Sequence, residues 1–194
     1  MEIVTERLIL RNLQAEDLPR FLQLYNAPGI RRSRDKAVQW EKQPDLFHWY
    51  RQQNPHSDTV FALGIYHTQS ELLGLVFCYA SRIHPLARVD ETIGSLGVVI
   101  RDDLQNQGFA TEACDAMLRF LLQERKVSRV LMGCYASNPA SQRMIQKLGL
   151  MPLPLHLRAS AVLARKIDTK ELWHELTFAN WHKRRIAFLE GKLA

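Results

Sequence analysis

The stretch that constrains this chain most runs from Gln105 to Leu122, QNQGFATEACDAMLRFLL. It opens as a loop around one glycine, Gly108. Ala110, Ala113, Cys114, Met117, Leu118 and Leu121 then recur at three- and four-residue steps and lay an apolar stripe along one side of a helix. Glu112, Asp115, Arg119 and Gln123 face elsewhere. Short aliphatic runs flank this helix, Ile93 to Ile100 before it and Val127 to Cys134 after it, and both read as strands. If the two strands are parallel, a right-handed crossover places the loop Arg101 to Gly108 at the carboxyl end of the first, beside the start of the helix. The first helical turn offers N–H groups without an internal partner and the positive end of the macrodipole, and a glycine lets the main chain approach a ligand closely. These properties predict a phosphate-binding loop.

Gln105, Gly108 and Ala110 spell Q-x-x-G-x-A, and Phe109, Thr111, Glu112 and Ala113 extend it to G-F-A-T-E-A. The pattern resembles the pyrophosphate-holding loop of the GNAT superfamily of acyl-CoA-dependent N-acyltransferases, in the form found in its ribosomal-protein N-terminal (serine/alanine) acetyltransferase branch. Two further blocks resemble the same branch. One is the opening T-x-R-L-x-L-R over Thr5 to Arg11, followed by the acidic helix start Glu16-Asp17; the other is ASNPASQRMIQKLGL, Ala136 to Leu150, with Leu150 where an aromatic is usual. The resemblance implies that Gln105, Asn106, Gln107, Gly108, Phe109, Ala110 and Thr111 hold the pyrophosphate of acetyl-CoA. It also implies that Asn138 holds the pantetheine and that Ser141 lies near the sulfur. Taken as residues alone, Asn138 before Pro139 equally reads as an N-cap and Ser141 as a first-turn hydrophilic residue.

Gly94 and Gly97 weaken regular pairing of the strand before the loop and would let it splay from its neighbour, exposing main-chain groups of Leu96, Val98, Val99 and Ile100 to the pantetheine amides. Magnitudes favour such pairing. Micromolar binding is about −8.2 kcal/mol, whereas one anion at a helix end contributes about 2 kcal/mol at most.

Elsewhere, residues 3 to 12 read as a first strand, and a helix runs from Glu16 to about Asn26 with Leu18, Phe21, Leu22 and Tyr25 buried. From Pro28 to Asp58 the pattern is broken except for a helix near Pro44 to Gln53; Arg31, Arg32, Arg34 and Lys36 form a basic cluster that reads as a solvated loop or, on the family resemblance, as part of the acceptor groove. Thr59 to His67 and Glu71 to Arg82 read as an antiparallel hairpin, with Gly74 marking a bulge or a tight contact. Leu155 to Ile167 and Glu171 to Trp181 read as a closing strand pair, followed by the basic run His182 to Arg185.

At 194 residues the chain reads as a single domain, 1–194, with no internal repeat. MEIVTERLIL lacks the basic and apolar parts of a signal peptide, and no apolar run approaches a membrane span, which predicts a cytoplasmic protein. Cys78, Cys114 and Cys134 lie on apolar elements without metal-ligand spacing, so no metal is expected. The net charge of +6 favours acidic partners.

The fold expected is α+β: a GNAT-like three-layer α/β/α arrangement with a mixed, mostly antiparallel twisted sheet of about seven strands, splayed at the acetyl-CoA site. The implied reaction moves an acetyl group from acetyl-CoA to a primary amine, with a protein N-terminal α-amine as acceptor. Such transfer needs a neutral amine, oxyanion donors and a proton for the thiolate. Main-chain N–H groups near Gly97 to Val99 are the oxyanion candidates and Ser141 the candidate acid. Glu91 and Glu175 are candidate bases, each equally readable as a surface carboxylate. The alternatives are acetylation of a small amine (polyamine, aminoglycoside or amino acid), a non-catalytic acyl-CoA-binding module, and a basic nucleic-acid-binding protein. HKRR without a stacking platform argues weakly for the last. A homodimer is compatible with this reading.

Overall fold

A computed structural model describes residues 1–27, 43–53, 60–67, 71–81, 87, 90–153 and 171–190. Eight strands are found among them: β1 (Glu2–Val4), β2 (Leu8–Arg11), β3 (Val60–His67), β4 (Leu72–Ser81), β5 (Ile93–Ile100), β6 (Arg129–Tyr135), β7 (Met151–Pro152) and β8 (Glu171–Thr177). The α-helices are α1 (Leu18–Asn26), α2 (Gln43–Gln52), α3 (Phe109–Arg119), α4 (Pro139–Lys147) and α5 (Phe178–Leu189). The fold is α+β with a mixed sheet, as expected, with one strand more than the pattern suggested. The basic cluster Arg31 to Lys36 and the strand expected over Leu155 to Ile167 lie outside the described residues.

Two compact units divide the chain. The first comprises Met1–Tyr79 and Leu96–Met117, the second Ala80–Ser95 and Leu118–Ala194. Hydrogen-bonded neighbours follow the order β1-β2-β3-β4-β5 in the first and β5-β6-β8-β7 in the second, β5 contributing residues to both.

In the first unit, the single strand expected over 3–12 is two. Thr5 breaks it: its hydroxyl accepts from the Leu8 N–H at 2.9 Å, and the chain turns back so that Val4 pairs with Ile9 and Glu2 with Arg11. Helix α1 starts after a short 3₁₀ turn, Ala15–Asp17, in which Gln14 and Asp17 form a reciprocal capping box. Asp17 is buried and accepts from the Tyr66 hydroxyl at 2.5 Å, with the Arg11 guanidinium stacked 3.8 Å from the Tyr66 ring. Burial first, and then this bond to Asp17, push the Tyr66 phenol far above its ordinary range. Around it Leu13, Phe21, Leu24, Tyr25, Phe47, Leu72 and Leu75 form a core.

The hairpin β3–β4 is antiparallel, from Val60 opposite Tyr79 to Tyr66 opposite Leu72, and its register slips by one residue beside Gly74. Gly74 is both a bulge marker and a tight contact, since a Cβ there would meet the Val99 carbonyl oxygen. The slip leaves Leu73 as the extra residue, and its carbonyl accepts from the Arg101 N–H at 2.9 Å. A bulge in β4 thereby holds the point where the chain leaves β5.

In the second unit, β5 and β6 are parallel over Ile93–Arg129, Gly94–Val130 and Ser95–Leu131. Gly94 admits Val127, Val130 and Leu121 against its main chain. The helix that follows the loop ends in a π-helical turn, Phe120–Glu124, with Arg125 N–H donating to the Phe120 carbonyl. Strand β8 pairs antiparallel with β6 from Thr177 opposite Arg129 to Glu171 opposite Tyr135. The expected strand through Trp181 stops four residues early. The Thr177 hydroxyl accepts from the Asn180 N–H at 3.2 Å and caps α5 instead, so His182 to Arg185 sit on a helix. Arg184 packs its guanidinium against Gly149, whose φ of +81° ends the α4 segment.

Candidate active site

The sequence marks four groups of residues as functional; one of them, the main chain of Leu96 to Ile100, lies on β5, and each of the other three has its own local geometry.

The loop between β5 and α3 belongs to the first unit. Asp102–Leu104 form a 3₁₀ turn, Gln105 donates from its amide to the Ile100 carbonyl (3.3 Å) and to Asp102 (3.1 Å), and Arg101 is ion-paired with Glu71 and Asp103. Asn106 and Gly108 both have positive φ, 61° and 86°. Residues Gln105 to Gly108 are exposed, Phe109 is buried, and the first intrahelical bond runs from the Glu112 N–H to the Gly108 carbonyl at 3.0 Å. Gly108 therefore occupies the cap position and has no side chain of its own to accept from the first-turn N–H groups, which in helices generally are the ones that anions can take. A Cβ on Gly108 would lie 3.2 Å from Arg7 Nη2.

Arg7 and Thr5, two residues of the opening pattern, brace this loop. Arg7 donates through Nε to Glu112 Oε2 (2.7 Å), through its main-chain N–H to Glu112 Oε1 (2.9 Å) and through Nη1 to the Gln107 carbonyl (3.0 Å). The Thr5 hydroxyl donates to Glu112 Oε1 at 2.6 Å. The Arg7 guanidinium also lies 4.7 Å from the Phe109 ring centroid. Burial raises the Glu112 carboxyl, but the bonds from Thr5 and Arg7 outweigh it and hold the group below the usual carboxylate range. Thr5 and Arg7 belong to one sequence pattern and Glu112 to another, and neither pattern signals that the three form one contact.

In the second unit, the Asn138 side-chain oxygen accepts from the Ser141 N–H at 3.1 Å, a standard N-cap with Pro139 in the first turn of α4. The cap uses the amide oxygen; the amide nitrogen is a separate donor suited to a carbonyl. Ser141 is half-buried in the same turn.

Glu91 and Glu175 come together in the second unit on a residue that was not singled out, Arg129. This side chain is almost fully buried and binds Glu91 through Nη2 (3.0 Å) and Nε (3.1 Å), and Glu175 through Nη1 (2.8 Å). Burial lowers the Arg129 pKa, but the two carboxylates raise it on balance. Both candidate bases are thus engaged by one cation. The signal was the lone Arg in the apolar run VSRVLMGC. His174 on β8 is half-buried, and burial lowers its pKa, opposed by a hydrogen bond with the Leu172 backbone. No group of three or more His, Cys, Asp or Glu able to hold a metal occurs among the described residues. Nor is any described helix long and apolar enough to cross a membrane.

A glycine-capped helix start following a strand of a mixed sheet is an arrangement at which α/β proteins in general bind anions through the main chain. The family described as Acetyltransferase (GNAT) domain matches residues 7–151, about three-quarters of the chain, and this chain belongs to that family. The family uses acetyl-CoA. The uncharacterized N-acetyltransferase YnaD of Bacillus subtilis (strain 168) is 33% identical over 55 residues, 28% of this chain and 32% of YnaD, so the match spans about a third of that relative. A candidate ribosomal-protein-serine acetyltransferase from Vibrio cholerae superposes with a TM-score of 0.65 at 20% identity, covering 91% of this chain and 97% of that one. The spermidine N-acetyltransferase of Vibrio cholerae in complex with CoA and spermine superposes with a TM-score of 0.68 at 15% identity, covering 92% and 99%. At these identities the two structures establish the fold.

Proposed function

We propose that this protein is an acetyl-CoA-dependent N-acetyltransferase whose acceptor is a protein N-terminal α-amine of the ribosomal-protein type. The observation that carries the first half is the Gln105–Ala110 loop, with Gly108 at φ +86° in the cap position of α3, in a chain of the GNAT family. In this reading Gln105, Asn106, Gln107, Gly108, Phe109, Ala110 and Thr111 bind the pyrophosphate. The main chain of Leu96, Val98, Val99 and Ile100 pairs with the pantetheine amides. When bound, acetyl-CoA supplies an activated acetyl thioester. Main-chain N–H groups near Gly97 to Val99 stabilise developing negative charge, the Asn138 amide nitrogen binds a pantetheine carbonyl, and Ser141 gives a proton to the departing thiolate.

The acceptor assignment rests on what Glu91 and Glu175 are doing. Both are bound to Arg129, so neither is set aside to deprotonate an amine. An α-amine, with pKa about 7.7 to 8.0, is appreciably neutral at pH 7, whereas a lysine ε-amine at about 10.4 is neutral in about one molecule in 2,500. The first suits a site without a dedicated carboxylate base. The G-F-A-T-E-A form of the loop and the likeness to the candidate ribosomal-protein-serine acetyltransferase point the same way. The second reading, a small polyamine as acceptor, is favoured by the likeness to the spermidine enzyme. The setting proposed is cytoplasmic, consistent with three cysteines that are all buried free thiols.

Purified protein, acetyl-CoA and a panel of amines, read by release of free thiol, tests this. Peptides with free N-termini should be acetylated, and blocking the terminus should stop the reaction even when lysines remain. Efficient acetylation of blocked, lysine-containing peptides alone would overturn the acceptor assignment. Activity on a polyamine alone would keep the enzyme class and replace the substrate.

A further inference from the structure

The main chain that would face the pyrophosphate contains a peptide unit that glycine leaves free to turn over. The Gln107–Gly108 peptide joins a residue to a glycine at positive φ, and the alternative turn types of such a segment differ by rotation of this one peptide plane. One orientation points the Gly108 N–H toward an anion; the other presents the Gln107 carbonyl oxygen, which would repel it.

Arg7 decides between them. Its Nη1 donates to the Gln107 carbonyl at 3.0 Å, so that carbonyl points at Arg7. In a trans peptide the C=O and N–H point in opposite directions, and every peptide bond described here is trans, so the Gly108 N–H points away from Arg7. The guanidinium cannot swing off this task, because Nε and Nη2 are held by Glu112 (2.7 Å each) and its face lies against the Phe109 ring. Glu112 is itself fixed by the Thr5 hydroxyl and the Arg7 N–H. The pairing also cancels the Glu112 charge beside a site meant for an anion.

We propose that Arg7 is a positioning residue for acetyl-CoA: it locks the Gln107–Gly108 peptide in the orientation that aims the Gly108 N–H at the pyrophosphate. Arg7 acts on the ligand through that peptide and takes no part in the acetyl transfer. The inference rests on the reading of the loop as the pyrophosphate site.

Isothermal titration with CoA, together with the ¹⁵N-resolved amide resonance of Gly108, tests it in wild type, Arg7→Lys and Arg7→Met. Wild type should bind CoA, and its Gly108 amide proton should move downfield on binding. Both variants should weaken CoA about tenfold, the worth of one hydrogen bond to an anion, and the Gly108 shift should shrink or vanish while amides of β3 keep their positions. Arg7→Lys keeps the charge beside Glu112 but cannot reach Glu112 and Gln107 together. Equal affinity in Arg7→Lys and wild type, or an unchanged Gly108 shift, would overturn the proposal. If Arg7→Met unfolds, Arg7→Lys decides; were both unfolded, Arg7 would be a residue of the fold and the proposal would fall. Wild type that ignores CoA would instead overturn the pyrophosphate reading, and a wild-type complex whose Gly108 amide does not move would overturn only the role of Arg7.

Discussion

A side chain at Gly108 would meet two obstacles, a left-handed φ of +86° and the Arg7 guanidinium 3.2 Å from the new Cβ. The first costs about 1–2 kcal/mol for an ordinary L-residue and more for a β-branched one, still less than the roughly 5–15 kcal/mol that holds a domain folded. Gly108→Val should therefore leave the apo protein folded, with a modestly lowered melting temperature, and abolish the thermal shift produced by acetyl-CoA. Unchanged CoA binding in that variant would remove the basis for the pyrophosphate reading. Ser141 and Asn138 separate by the same logic. Asn138→Ala removes a cap and should cost about 1 kcal/mol of stability. Ser141→Ala keeps the cap, since only its N–H is used, and should bind CoA nearly normally while turnover slows by about 10- to 100-fold, at the low end of general-acid effects. If CoA binding collapses and the rate per bound complex is unchanged, Ser141 holds the cofactor and is not the acid. Glu112 supplies a pH signature. Its folded pKa lies below the unfolded one, so its contribution is fully present above the unfolded value, about 4.3, and declines as pH falls from there through the folded value. Chemical denaturation between about pH 5 and about pH 3 should show a shallower loss of stability in Glu112→Gln than in wild type.

At the scale of elements, the Arg129 cluster joins three pieces of the second unit: Glu91 two positions ahead of β5, the first residue of β6, and β8. Removing the cation alone strands two carboxylates near a buried position. Arg129→Met should destabilise by about 3–5 kcal/mol, and adding Glu91→Gln and Glu175→Gln should recover part of that loss, measured by denaturant unfolding. Full activity in the stable triple variant would exclude both carboxylates as bases. Element boundaries were legible where their signal is local. The β5–α3–β6 unit follows from apolar periodicity within about forty residues, and parallel pairing is found there. The opening segment reads as one strand because alternation of side chains continues across the Thr5 turn, and nothing in the alternation says that a hydroxyl will take the Leu8 N–H. The last strand reads as running to Trp181 because Leu176, Phe178 and Trp181 look alike in a strand or a helix, whereas the Thr177 hydroxyl accepting from the Asn180 N–H ends it.

For the whole molecule, the charge of +6 gives an acidic acceptor a faster encounter, and that steering is screened by salt. The KM for an acidic N-terminal peptide should rise as ionic strength goes from about 0.05 M to about 0.3 M, and that for a neutral peptide should stay flat; identical salt responses would dissociate net charge from acceptor choice. Sequence by itself determined the family and the strand-loop-helix order, because apolar periodicity and a glycine ahead of a helix are decided by neighbours a few positions away. Only the tertiary structure decided that Arg7 meets Glu112 and Gln107, that Leu73 is bulged to hold Arg101, and that Glu91 and Glu175 share Arg129. Arg7 and Glu112 are 105 positions apart, and Arg129 is 38 and 46 positions from its two partners. Contacts of that range depend on how strands pair and which register they take, which single positions in a sequence do not encode.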